Sequence, residues 1–295
     1  MNISGKTAVY GVIGDPIEHT LSPAMQNAAF EALGMDCLFL SFQVLPSRVE
    51  DALRGMRSLG LRGLNVTMPH KNAVIPFLDE VDETAQFLRS VNTILNDGDK
   101  LRGFSTDGAG AHRALEENGV GLAGKKLLVL GGGGAAKAVA YTLAREVTEL
   151  TLLNRTPEKL EELAKAINKK YQRKVAVGSI SPNEIQRSLK EIDVLINATS
   201  VGMHPHSSQT LVKPEWLGPH LTVMDIVYNP LKTKLAQDAE AAGSRVISGV
   251  EMLIYQGAAS FEIWTGKTAP IEVMRNAALN RLKLRREKKD GSGKS

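Results

Sequence analysis

A glycine loop and four polar clusters carry the chemistry that this sequence can offer. Residues 126–138 read K-L-L-V-L-G-G-G-G-A-A-K-A, an apolar strand running into Gly131-x-Gly133-x-x-Ala136 and then a helix. That context is what a dinucleotide-binding turn requires. Gly131 permits the tight turn, Gly133 lets the backbone approach a pyrophosphate, and the small Ala136 lets helix pack on strand. The first helical residues, Gly134 and Ala135, present N–H groups to the phosphates. The next strand ends in Asn154-Arg155-Thr156, with Lys159 one turn further on. NAD-binding versions place a carboxylate at that strand end to hold the ribose 2′-hydroxyl. Here a guanidinium, a hydroxyl and an ammonium converge instead, and a guanidinium suits a phosphate through paired charge-assisted hydrogen bonds. The expected cofactor is therefore NADP. The plainer alternatives are a ligand-free glycine turn and exposed charges at a helix start.

The polar clusters are Thr20 with Ser22, Asn65-x-Thr67-x-Pro69-His70-Lys71, Asn92-Thr93, and Ser105-Thr106-Asp107-Gly108. They sit where strands should end, and α/β domains bind ligands outside the carboxyl ends of their strands. Each alone also reads as local structure: Ser22-Pro23 as a helix cap with Pro at N1, Asn65 and Thr67 as turn residues, Asp107-Gly108 as a turn. Together they would offer hydroxyl, amide, ammonium and carboxylate groups to a small ligand bearing several hydroxyls and a carboxylate.

The elements that must position these groups alternate. Strand-like Thr7–Ile13, Cys37–Val44, Leu64–Thr67 and Val91–Leu95 interleave with helix-like Ala24–Leu33, Val49–Leu59 and Asp82–Arg89. A second series follows a helix at Gly110–Asn118. Its strands are Lys126–Leu130, Leu150–Leu153, Val175–Val177, Val194–Asn197, Leu221–Val227 and Arg245–Ile247, with helices Ala135–Glu146, Pro157–Asn168 and Thr233–Ala242. Helical spacing returns over Glu251–Trp264 and Ile271–Leu284. This pattern predicts an α/β protein of two domains with mainly parallel sheets. The expected division is a substrate domain at 1–107 completed by helices at 251–284, a Rossmann-type NADP-binding domain at 108–250, and a disordered basic tail at 285–295.

Composition excludes several classes. With 295 residues, 43% hydrophobic and 23% charged, the chain is an ordinary globular protein rather than a disordered or coiled-coil one. The net charge of +4 is concentrated in Arg281, Lys283, Arg285, Arg286, Lys288, Lys289 and Lys294 against Glu287 and Asp290. A basic tail without a basic domain face, and only 5% aromatic residues, argue against a nucleic-acid partner. Cys37 is the single cysteine, no run of 18 apolar residues spans a membrane, and no signal-like leader opens the chain. A cytoplasmic setting is expected. A homodimer is one assembly open to such a chain.

The clusters also form ordered motifs. G-D-P-I-E-H-T-L-S-P spans Gly14–Pro23, N-V-T-M-P-H-K spans Asn65–Lys71, S-V-N-T-I spans Ser90–Ile94 and S-T-D-G spans Ser105–Gly108. After the glycine loop come N-R-T at Asn154–Thr156, N-A-T-S-V-G-M at Asn197–Met203, D-I-V-Y-N-P at Asp225–Pro230, G-V-E-M-L at Gly249–Leu253 and Y-Q-G-A-A-S-F-E-I-W-T-G at Tyr255–Gly266. This series closely resembles the shikimate dehydrogenases. The resemblance implies NADPH-dependent reduction of 3-dehydroshikimate to shikimate in aromatic amino-acid synthesis, in a cleft between two α/β domains. It implies Lys71 and Asp107 as catalytic pair, and Thr20, Ser22, Asn65, Thr67, Asn92 and Gln256 as substrate contacts with Tyr228 nearby. It implies Gly249, Met252 and the stretch Asn197–Met203, including Thr199 and Met203, as nicotinamide neighbours. Two departures stand out: Thr20 replaces the family's first serine, adding a methyl group, and Ser105 replaces its asparagine.

Ketone reduction needs a hydride, which the cofactor carries, and a proton for the developing alkoxide. An ammonium beside the carbonyl oxygen stabilises that charge and donates the proton, the role Lys71 would take. Asp107 would favour the charged ammonium and accept a substrate hydroxyl. The alternative is that Lys71 only binds substrate while water relays the proton. His70, His112 and His204 are rival acids, although His70 should point away from its neighbour Lys71. No metal-ligand spacing is present, so no metal is expected. Competing functions are a quinate/shikimate dehydrogenase of broader cofactor use and a non-catalytic NADP-binding sensor.

Overall fold

The computed structural model describes residues 3–98 and 100–292, without the side chains of 285–292. Of the tail expected to be disordered at 285–295, residues 285–292 instead continue the backbone of the last helix, and 293–295 lie outside the described residues. The chain divides into two compact units, Met1–Thr106 with Ile254–Ser295, and Asp107–Leu253.

The first unit contains β1 (Ala8–Gly14), α1 (Ser22–Ala32), β2 (Cys37–Gln43), α2 (Val49–Ser58), β3 (Gly63–Val66), β4 (Glu80–Val81), α3 (Glu83–Leu88), β5 (Thr93–Asn96) and β6 (Leu101–Phe104). The sheet order is β2-β1-β3-β5-β6-β4. Strand β5 is antiparallel to both neighbours, β3 and β6, and the remaining pairings are parallel. This reversal places the amino end of β5 at the same sheet edge as the carboxyl ends of β1, β3 and β6. Asn92-Thr93 therefore opens a strand rather than ending one, and reaches the ligand edge because its strand runs backwards. The core under the sheet gathers Ile13, Leu53, Met56, Leu64, Val66 and Ile94.

The second unit runs α4 (Asp107–Glu117), β7 (Lys126–Leu130), α5 (Gly134–Leu143), β8 (Glu149–Asn154), α6 (Glu158–Tyr171), β9 (Lys174–Ser179), α7 (Pro182–Leu189), β10 (Val194–Asn197), β11 (Thr222–Asp225), α8 (Lys234–Ala241) and β12 (Arg245–Ser248). All its strands are parallel, in the order β12-β11-β10-β7-β8-β9. That is the doubly wound dinucleotide-binding order, whose switch point falls between β7 and β10. Strands β7 and β10 are buried along nearly their whole length, as parallel strands covered on both faces must be.

Helix α9 (Gly249–Thr265) begins in the second unit, and with α10 (Ile271–Ser292) supplies the last part of the first. There the Trp264 indole N–H donates to the Ile94 carbonyl at 2.9 Å, its ring meets Tyr10 and Phe39, and Tyr10 continues the aromatic chain through Phe30 to Phe261.

Candidate active site

In the first unit the ligand edge is a web of uncharged hydrogen bonds. The Asn65 amide donates to the Asn92 carbonyl (3.1 Å), Thr93 Oγ1 (3.3 Å) and Ser260 Oγ (2.9 Å). Asn92 Nδ2 donates to Thr106 Oγ1 (2.8 Å) and Gln256 Oε1 (3.1 Å), while its Oδ1 accepts the Thr106 N–H at 2.8 Å. Thr106 and Ser260 both donate to the Gln256 carbonyl at 3.0 Å. Three expected substrate residues, Asn65, Asn92 and Gln256, are thus joined. Thr93, Thr106 and Ser260, which tie them together, were not singled out for this role. Ser260 sits four residues beyond Gln256 on α9, and that helical spacing is the signal that could have found it. Asn65 Oδ1 is buried and meets no donor among the described residues.

Thr20 and Ser22 lie beside this edge in sequence, at the start of α1. Leu21, not Ser22, is the N-cap, and no side chain caps the helix. The plainer reading of Ser22 as a cap is therefore corrected. Its hydroxyl instead accepts from Thr20 Oγ1 at 3.2 Å, and its N–H donates back to Thr20 Oγ1 at 3.2 Å. Thr67 follows β3, its N–H bonded to the Ile13 carbonyl at 3.0 Å, which joins the ends of β1 and β3.

Lys71 is half-buried in the turn after β3, and its carbonyl accepts the Val91 N–H at 2.8 Å. The preceding His70 is fully buried, with Nε2 at 2.6 Å from the Val44 carbonyl. A carbonyl only accepts, so Nε2 carries the proton and His70 is an anchor of the lysine turn, not its rival. His112 is likewise engaged, by Glu146 at 2.8 Å. His204 is exposed. Among the described residues no group of His, Cys, Asp and Glu could hold a metal, and no helix is long and apolar enough to cross a membrane.

In the second unit Asp107 opens α4 and is 4% exposed. It had been expected to close the first domain, but as the first residue of a helix packed on α5 it clusters with the second unit. Gly108 makes that packing possible: a Cβ there would fall 2.0 Å from Thr142 Oγ1 and 2.6 Å from the Ala138 carbonyl oxygen. Only glycine lets the first turn of α4 approach α5 so closely.

Gly131 has φ of +121°, and a Cβ on it would fall 2.6 Å from the Ala198 carbonyl oxygen. The turn at the switch point therefore excludes any side chain at this position. Gly133 is the N-cap of α5, exposed and without a side-chain cap, and Gly134 and Ala135 form the first helical turn. Ala136 is 1% exposed. Asn154, ending β8, donates from Nδ2 to the Thr156 carbonyl at 2.9 Å, shaping the turn that presents Arg155, Thr156 and Lys159 to solvent. A glycine turn, an uncapped helix start and an exposed basic turn fit a dinucleotide with a 2′-phosphate.

At the ends of β10 and β11, the buried Asn197 and Asp225 bond side chain to side chain at 2.9 Å, and Asn197 Oδ1 holds Thr199. Burial pushes the Asp225 carboxyl above its ordinary range, opposed by hydrogen bonds from Thr233, Val227 and Asn197. Tyr228, expected near the substrate, lies on the half-buried loop after β11 in this unit. Gly249 and Met252 are buried in the first turn of α9, and Met203 is exposed.

Comparison with known proteins yields three family models matching in order. They are a shikimate dehydrogenase substrate binding domain over residues 12–94, shikimate / quinate 5-dehydrogenase over 112–222, and a shikimate 5′-dehydrogenase C-terminal domain over 249–279. A shikimate dehydrogenase (NADP(+)) of Methanopyrus kandleri is 46% identical over 286 residues, covering 96% of this chain and 99% of its own. A shikimate dehydrogenase solved in complex with NADP+ superposes with a TM-score of 0.89 at 42% identity, over 95% of this chain and 98% of its own. The shikimate 5-dehydrogenase of Listeria monocytogenes, solved with shikimate and NAD, gives a TM-score of 0.88 at 38% identity, over 94% and 98%.

Proposed function

The chain belongs to the shikimate dehydrogenase family, and from that premise we propose that it interconverts 3-dehydroshikimate and shikimate with NADP(H) through Lys71 and Asp107. The reaction is an NADP-dependent oxidoreduction at a CH–OH group, a step of aromatic amino-acid biosynthesis. NADPH, when bound, supplies the hydride. Everything else falls to the chain's own residues.

The observation that carries the reading is the single hydrogen-bond web in which Asn65, Asn92 and Gln256, far apart in sequence, meet at one sheet edge through Ser260 and Thr106. In this reading Asn65, Asn92, Thr67 and Gln256 hold ring hydroxyls, Thr20 and Ser22 receive the carboxylate, and Tyr228 borders the substrate. The Lys71 ammonium faces the ketone oxygen, stabilises the charge that develops there and hands over a proton. Asp107 accepts a hydrogen bond from a substrate hydroxyl. Gly131 to Ala136 bind the pyrophosphate, and Asn154, Arg155, Thr156 and Lys159 bind the 2′-phosphate. Thr199, Met203, Gly249 and Met252 border the nicotinamide. The single buried Cys37 supports a reducing, cytoplasmic setting, and a homodimer belongs to the proposal as the assembly that sedimentation would test.

Steady-state kinetics of Lys71→Met, Asp107→Asn and the double variant test the roles. Lys71→Met is expected to lower kcat by about 10²–10⁴-fold, with a smaller change in shikimate KM. The double variant should be little worse than Lys71→Met, because groups acting as a unit are not additive. Near-parental kcat in Lys71→Met would remove the lysine from the chemistry.

A further inference from the structure

Asp225 is the last residue of β11 and is 2% exposed. Its described partners are all uncharged. Oδ1 accepts from Asn197 Nδ2 (2.9 Å) and from the Val227 N–H (3.1 Å), and Oδ2 accepts from Thr233 Oγ1 (2.6 Å). A carboxylate buried without a cation is costly to keep, since only hydrogen bonds offset its lost hydration. Burial indeed pushes its pKa upward. What the carboxylate does in return is orient other groups.

Asn197 pairs directly with Asp225 across β10 and β11. With its amide nitrogen committed to Asp225, its Oδ1 must face the other way, where it accepts the Thr199 N–H (3.2 Å) and Thr199 Oγ1–H (2.7 Å). Thr199 Oγ1 in turn accepts the Val201 N–H at 3.1 Å. The same Oδ1 also holds the Val227 N–H, at the root of the loop carrying Tyr228. The two loops are then stitched together where the His204 N–H donates to the Asn229 carbonyl at 2.9 Å. The Asn197–Val201 segment abuts the cofactor turn: a Cβ on Gly131 would meet the Ala198 carbonyl oxygen at 2.6 Å and the Thr199 nitrogen at 3.3 Å.

We propose that Asp225 is a positioning residue that, through Asn197, fixes Thr199 and the Tyr228 loop as the surface on which the nicotinamide end of the cofactor rests. This rests on the cofactor assignment made above. The adenine end lies at a different place, the Asn154–Lys159 turn, and is held without Asp225.

The test compares two probes on Asp225→Ala and Asp225→Asn. One is NADPH, read by binding and by the emission of its nicotinamide. The other is adenosine 2′,5′-bisphosphate, which carries the 2′-phosphate but no nicotinamide. Asp225→Ala is expected to lower kcat about tenfold or more, because small displacements of a reacting group are expensive. The NADPH emission should change, while bisphosphate affinity stays parental. Asp225→Asn should recover most of the kcat. Its oxygen can still accept from Asn197 and Val227, and its NH₂ can donate to Thr233 Oγ1, which also has lone pairs. If Asp225→Ala does not fold, Asn197→Ala breaks the next link and is read in the same way. Parental kcat and emission in the broken variant would overturn the proposal, as would equal losses on both probes or an Asn variant as impaired as the Ala one. A parent protein that binds neither probe would overturn the cofactor assignment itself, and this inference with it.

Discussion

In the first unit the ligand edge is assembled from Asn65, Asn92, Thr93, Thr106, Gln256 and Ser260, and the longest of its hydrogen bonds in sequence joins residues 195 apart. In the second, the turn proposed for the cofactor is contained in Gly131–Ala136, between the end of β7 and the first turn of α5. The first is made of side chains that satisfy one another; the second is made of backbone from which side chains are excluded. A site of the first kind tolerates loss of one member at the expense of its neighbours' partners. A site of the second kind fails when anything is added. The two should therefore respond differently to substitution, in kind as well as in size.

The sharpest contrast comes from adding one methyl group to the turn. Gly131→Ala forces a side chain onto φ of +121° and against the Ala198 carbonyl oxygen. The strain is about 3 kcal/mol, enough to lower NADP+ affinity about a hundredfold. Isothermal titration with NADP+ checks this. Removing a charge from the adjoining exposed turn should act on one cofactor only. Arg155→Ala is expected to weaken NADP+ about ten- to hundredfold, the worth of charged hydrogen bonds to a phosphate, and to leave NAD+ affinity and Tm unchanged. Equal loss for both cofactors would detach Arg155 from the 2′-phosphate. The smallest effect is expected in the side-chain web. Asn65→Ala leaves the Asn92 carbonyl and two hydroxyls short of a donor, for about 1–3 kcal/mol of stability by chemical denaturation. It should raise KM for shikimate and leave KM for NADP+ alone. An Asn65→Ala enzyme with weakened NADP+ and parental shikimate KM would erase the distinction between the two regions.

The same contrast explains what could be read from the sequence. Strands Lys126–Leu130 and Val194–Asn197 have the bounds expected of them, because buried parallel strands are continuous apolar runs ended by glycine or polar residues. The glycine turn was legible because its requirements are local: strand, glycines and helix in unbroken order. Strand β4, two residues long, and β6, L-R-G-F, were not legible, since neither is long enough to show a period and each is defined by its pairing, β6 with β5 and β4 with β6. Helix α7 was missed although its signals were present: Ser181 caps it by accepting the Glu184 N–H at 3.3 Å, with Pro182 in the first turn. The backward direction of β5 was invisible because alternation of strand and helix does not specify strand sense. Thr93 and Thr106 were read only as members of polar clusters, and Ser260 not at all, for a related reason. Each is an ordinary hydroxyl in its own segment, and acquires a role only when the sheet brings β3, β5, the residues after β6 and α9 together. Asp225 was legible as part of a motif, but its burial and its hold on Asn197 are properties of two parallel strand ends in register.

The most direct measurement is initial-rate kinetics of the purified parent protein with shikimate and with quinate, each with NADP+ and with NAD+. Oxidation of shikimate with NADP+ is predicted to have the highest kcat/KM of the four combinations, with NAD+ penalised through KM because it lacks the phosphate that Arg155 would hold. A preference for quinate with NAD+, or no turnover in any combination, would contradict the account.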